Sequence, residues 1–187
     1  MIDKTFRRFP RASARFATVA FCAFVSTGTA GWAAGTEQTT AQDTQPQATT
    51  ALYRDWQLRC VTAQSGGKAC EQVGAVPTPD GKGIAARVVI GQPDKTKPAQ
   101  MIVQLAPGVW LPDGVSLTVP GATSPVKAEF KQCLQVCFAQ AELDEAVLSA
   151  MKAADQPATL GFTDAQRQGV SLPLSLNGFT AALTAAE

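Results

Sequence analysis

The sequence predicts a mainly β domain: a sandwich of about nine short strands with one or two short helices. Three observations carry that expectation. Apolar and polar residues alternate with period two through most of the chain beyond residue 50. Turn signals built from Gly, Pro and Asp separate the alternating runs at short intervals. Only two segments change to helical spacing, and no internal repeat is visible.

Taken in order, Leu52, Trp56, Leu58 and Cys60 share one face of a first strand, opposite Asp55, Gln57 and Arg59. Cys70–Val76 forms the next. Ile84, Ala86, Val88 and Ile90 repeat the alternation, as do Met101, Val103 and Leu105. Val115, Leu117 and Val119 follow, then Val126, Ala128 and Phe130 against Lys127, Glu129 and Lys131. Val136 with Phe138, Ala158 with Leu160 and Phe162, and Val170 with Leu172 and Leu174 complete the strands. Ser65-Gly66-Gly67, Pro79-Asp80-Gly81, Pro93-Asp94, Pro112-Asp113-Gly114 and Pro120-Gly121 mark turns between them. In Ala141–Ala154, Leu143, Val147, Ala150 and Met151 recur at helical spacing, with Glu142, Asp144 and Glu145 at the favourable end of the dipole. Phe179, Ala182, Leu183 and Ala186 form a second helical stripe in Asn177–Ala186, with Ser175 or Asn177 as cap.

The start of the chain reads differently. Lys4, Arg7, Arg8, Arg11 and Arg15 precede the apolar run Phe16–Val25, and mostly small residues follow. This is the pattern of a secretory signal peptide over residues 1–34, with cleavage expected between Ala30 and Ala34. The run is too short to span a bilayer, and no second hydrophobic segment follows, so no membrane span is expected in the mature protein. Residues 35–50 contain no large apolar side chain and read as a disordered linker. The folded domain is expected over residues 51–187.

Charge and composition exclude several functions. Five of the 16 basic residues lie in the first 15 positions, leaving 11 basic and 14 acidic residues, a net −3, from Gly35 onward. A weakly acidic body without a Lys/Arg stripe gives no nucleic-acid footprint. Histidine is absent, which excludes Ser-His-Asp and Cys-His nucleophilic sites and imidazole metal centres. No cofactor is expected. Four cysteines remain after the signal: Cys60, Cys70, Cys133 and Cys137. In an exported chain they read as two disulfides, with three connectivities open. Only Cys133 and Cys137 are close enough for a zinc pair, and C-x-x-x-C is one residue longer than a thioredoxin-type motif. The strand layout favours pairing neighbours, Cys60–Cys70 and Cys133–Cys137.

Candidate chemistry is thin. Glu142, Asp144 and Glu145 fit a helix start, Lys127 and Lys131 a solvated strand face, and Gly81-Lys82-Gly83 lacks the rest of a phosphate loop. Ser149-x-x-Lys152 has the spacing of a serine–lysine enzyme but none of its companion motifs. A non-enzymatic protein is expected. One loop stands apart: Val109, Trp110 and Leu111 sit between Pro107 and Pro112, either capping the sandwich or offering an aromatic anchor to a partner.

Several of these segments together resemble the invasion-associated locus B family of exported bacterial proteins. They are Asp55-Trp56-Gln57-Leu58-Arg59-Cys60 with Cys70, Pro107-Gly108-Val109 with Leu111-Pro112-Asp113-Gly114-Val115, Phe130-Lys131-Gln132-Cys133 with Cys137, and Leu172–Leu183. The resemblance spans about Tyr53 to Leu183. It implies an immunoglobulin-like β-sandwich in the Gram-negative envelope, periplasmic, outer-membrane-associated or secreted, linked to virulence and host-cell invasion. It supplies no catalytic residues. The expected function is protein–protein contact in the envelope or on a host cell. The alternative is a periplasmic carrier or sensor for a small apolar ligand held between the sheets.

Overall fold

In the computed structural model, which describes residues 48–62, 67–94 and 96–187, the alternating runs form ten antiparallel strands and two helices. The strands are β1 (Ala48–Tyr53), β2 (Trp56–Thr62), β3 (Lys68–Pro77), β4 (Ile84–Gly91), β5 (Ala99–Leu105), β6 (Val115–Thr118), β7 (Val126–Cys133), β8 (Cys137–Leu143), β9 (Ala158–Thr163) and β10 (Gly169–Leu174). Helix α1 (Glu145–Ala153) joins β8 to β9, and α2 (Phe179–Ala186) follows β10. The strands lie side by side in the order β1-β2-β3-β4-β5-β8-β7-β6-β9-β10.

The sandwich is one sheet folded over on itself, and β7 is the strand that turns the corner. Its second half pairs with β8 through Glu129–Cys133, and its first half pairs with β6 through Val126–Ala128. A register shift between Phe130 and Gln132 marks the bend, the usual role of a bulge. The fold-over brings β10 against β3: a Cβ at Gly74 would lie 2.9 Å from the Trp56 ring and 3.2 Å from Leu174 Cδ1. Only glycine leaves room there for Trp56, its cross-strand partner.

Trp56 ties the layers together. Fully buried, it donates its indole N–H to the Ser175 carbonyl at 2.9 Å and meets Phe179 of α2 edge-on at 5.0 Å. Around it Val88, Met101, Val103, Leu117, Met151, Leu160 and Leu174 fill the space between the two halves.

Four local expectations change. The first strand is two, β1 and β2, joined by Arg54-Asp55, so the strands number ten. β1 begins at Ala48, so the last three residues of the expected linker pair with β2. The signal peptide and the remainder of that linker lie outside the described residues. Residues 141–143 belong to β8, drawn into the ladder opposite β5, and Asp144 caps α1 by accepting from the Val147 amide at 2.8 Å. Helix α2 starts after Gly178, whose φ of 88° only glycine adopts readily. Neither Ser175 nor Asn177 caps it: the Ser175 hydroxyl donates to Asp55 and accepts from the Asn177 amide.

Candidate functional site

The registers place three connections at one end of the first sheet half, and a loop leads from them to a fourth. Pro77 lies opposite Ile84, Ala86 opposite Leu105, Leu105 opposite Cys137, and Cys137 opposite Cys133. Val115 lies opposite Ala128 and Phe162, and Thr163 opposite Gly169. The β3–β4 turn, the start of the 106–114 loop and the β7–β8 turn therefore emerge together, and the 106–114 loop runs on to the β9–β10 turn.

Each connection is held by its own chemistry. In the β3–β4 turn the Thr78 hydroxyl donates to Asp80 at 2.5 Å and the Lys82 amide at 3.2 Å. These bonds, the hydroxyl's first, hold the Asp80 carboxyl below its usual pKa. The β7–β8 turn is closed by the Cys133–Cys137 disulfide. In the β9–β10 turn Asp164 Oδ1 accepts from the amides of Gln166 and Gln168 at 2.9 and 2.8 Å. The 106–114 loop leans on that turn: the Trp110 amide donates to the Thr163 carbonyl at 2.8 Å and the Ala165 amide to Gly108 at 2.9 Å. Gly114 (φ 66°) ends the loop, where a Cβ would lie 2.5 Å from the Ala128 carbonyl oxygen.

The candidate residues Val109, Trp110 and Leu111 do not act as one unit. Val109 is half-buried against the core. Trp110 is half-buried too, and the Arg167 guanidinium covers its ring 4.2 Å from the centroid, a cation–π contact. Leu111 alone points outward, 43% exposed, in a 3-10 turn over Leu111–Asp113.

Three further apolar side chains that the alternation had turned inward or passed over are exposed at this end. Leu134 is 73% exposed, Ile84 51% and Val136 37%. Ile84 and Val136 line one shallow cavity with Ala106 and Leu105. Of the five large hydrophobic residues exposed among the described residues, Ile84 and Val136 share this cavity, Leu134 stands in the same turn as Val136, and Leu111 lies on the 106–114 loop. The sequence signal was available: a disulfide across three residues forces Leu134 and Val136 into a turn, and Asp80-Gly81-Lys82-Gly83 places Ile84 at its rim.

The charged candidates are spent on structure. Glu142 accepts from Gln100, Asp144 caps α1, Glu145 pairs with Lys152 at 3.4 Å and Lys131 with Glu129 at 2.7 Å. Ser149 and Lys152 share α1, with Lys152 turned to Glu145. No group of three His, Cys, Asp or Glu residues among the described residues is arranged to hold a metal ion. Cys60 and Cys70 are bonded across β2 and β3, their Cα atoms 4.0 Å apart. Buried side chains fill the middle of the space between the sheet halves, and an open cavity of about 570 Å³ lies at its margin between Ala75, Pro77 and Ile84 on one side and Pro157, Pro173 and Leu176 on the other.

Fold and site together define a disulfide-bonded antiparallel β protein with exposed apolar side chains on the connections of a folded-over sheet. The chain belongs to the invasion-associated locus B family: the family's model, described as invasion associated locus B protein, matches residues 56–187. In fold it is similar to the crystal structure of invasion associated protein B from Bartonella henselae, with a TM-score of 0.63 at 19% identity. That match covers 74% of this chain and 94% of the other. No curated protein matches it in sequence. No helix among the described residues is long and apolar enough to cross a membrane.

Proposed function

We propose that this is a non-enzymatic exported protein of the Gram-negative envelope, associated with host-cell invasion, that acts by protein–protein contact through the loop end of its sheet. The observation that carries the reading is the exposure of Ile84 and Val136 on one shallow cavity, with Leu134 in the turn beside it and Leu111 on the loop that leaves β5. Soluble proteins rarely leave apolar side chains clustered in water without a partner to cover them. Three of the four connections are fixed, one by a disulfide and two by the Trp110–Arg167 contact between them, so little ordering entropy is lost on docking. The export pattern of residues 1–34 and the two disulfides support a location beyond the cytoplasm, periplasmic, outer-membrane-associated or secreted. The partner is a protein of the envelope or of the host-cell surface.

Replacing Leu134 and Val136 together by Ser tests the reading. The double variant is expected to keep its fold and lose its crosslinked complexes in the intact envelope. Complexes retained at the wild-type level would refute contact through this end.

A further inference from the structure

The folded sheet has two edges, β1 and β10, and they differ in how they meet solvent. β10 carries Pro173, which has no N–H to offer a further strand. β1, Ala-Thr-Thr-Ala-Leu-Tyr, has no proline, no charge and an unbroken register against β2. It lacks the devices that ordinarily blunt an edge. Among the described residues β1 pairs only with β2. In an antiparallel ladder alternate residues turn their N–H and C=O away from the partner strand, so the far side of β1 presents main-chain donors and acceptors that no strand among the described residues pairs.

Leu52 adds a second observation. It is 75% exposed, the largest exposure of any large hydrophobic residue described. It stands opposite Gln57, which faces Val73, then Val89, then Ile102. An outward-facing row, mostly apolar, thus runs from Ile102 on β5 to Leu52 on the edge, with Gln140 and Glu129 beyond its inner end.

An open edge calls for an extended strand, and the composition of β1 selects which one. We propose that β1 pairs antiparallel with β1 of a second copy of this chain, joining two folded sheets into one. In a two-fold arrangement residues near the axis meet their own copies, so any charge on the strand would repel itself. β1 has none. A register centred on Thr50 sets Thr50 against Thr50 and Leu52 against Ala48, with Leu52 on the outer face of both sheets. The apolar row then continues from one copy into the other. This pairing is independent of the loop end.

Sedimentation of the mature protein over a range of concentrations tests it, with Thr50→Lys and Thr50→Glu as the variants. Thr50 is exposed on the edge opposite Arg59, so Thr50→Glu is expected to melt with the wild type and Thr50→Lys slightly below it. The wild-type mass should double as concentration rises, each variant alone should hold the mass of one chain, and an equimolar mixture of the two should recover the doubled mass. A wild type of one-chain mass at every concentration would overturn the proposal and leave β1 to a strand of another protein. Dimerisation unchanged in Thr50→Lys alone would overturn it as well.

Discussion

The two tryptophans of the described residues divide the molecule. Trp56 sits where β2, β3, the end of β10 and α2 converge, its ring against Phe179 and its N–H on a main-chain carbonyl. Trp110 sits at the loop end, half-buried, with an arginine over its ring. Against Trp56, Phe179 and Leu174 are fully enclosed; next to Trp110, Leu111 reaches water. Burial is spent on stability at the seam, whereas the loop end is stabilised by turns, hydrogen bonds and a disulfide that leave apolar groups exposed. Such a division lets a surface change its contacts without unfolding the sheet behind it.

Truncation should expose the contrast most sharply. Trp56→Ala removes a fully enclosed side chain and is expected to cost about 3–5 kcal/mol. That is a large share of the roughly 5–15 kcal/mol that holds a domain together. Denaturant titration of the variant checks it, and a loss below about 1 kcal/mol would show that the seam collapses onto the gap.

The disulfides come next. By chain entropy, closing 10 residues between Cys60 and Cys70 restricts the unfolded chain more than closing 4 between Cys133 and Cys137. Paired Cys→Ala variants should lose about 2.5–3 and about 2 kcal/mol respectively. An inverted order in thermal melts would mean that the short bridge does more than close its turn.

Trp110→Ala falls lower. Its ring contributes a cation–π contact and partial packing, so about 1 kcal/mol is expected. A melting loss equal to that of Trp56→Ala would erase the distinction between the two regions.

How far the sequence revealed this division depended on where its alternation changed phase. The central strands β4, β5, β6 and β9 read correctly because their runs have clean period two. The β1–β2 turn did not, since Arg54-Asp55 holds neither Gly nor Pro, and Arg54 takes a left-handed φ of 53° that its side chain does not advertise. A two-residue turn pairs Tyr53 with Trp56 and reverses which parity faces inward, which is why Leu52 is outside. The β7 bulge did the same to β8, burying Cys137 and Ala139 where Val136 and Phe138 had been expected. Val136 was therefore hidden by a phase error and Ile84 by its place at the rim of a correctly read strand, while Leu111 and Trp110 were visible from their prolines and only the arginine cover of Trp110 was not.

The smallest effect concerns pH. Because the Thr78 hydroxyl and Lys82 amide favour the charged form, Asp80 stabilises the folded turn above its ordinary pKa of 3.8. That contribution is lost as pH falls through the lower folded value. Hydrogen exchange in residues 78–83 should therefore rise below pH 3.8, once corrected for its intrinsic pH dependence, before the strands respond. Simultaneous loss would show that the turn has no independent opening.

The central claim, that the loop end makes the functional contact while the rest of the sheet supports it, is most directly tested by site-specific photocrosslinking in intact cells. A photoreactive residue would be placed at Ile84, Leu111 or Leu134, and for comparison at Thr62, Gln92 or Thr123 in connections at the opposite end. The account predicts a discrete protein adduct from the first set and none from the second. Adducts from Thr62, Gln92 and Thr123 with none from Ile84, Leu111 and Leu134 would contradict it.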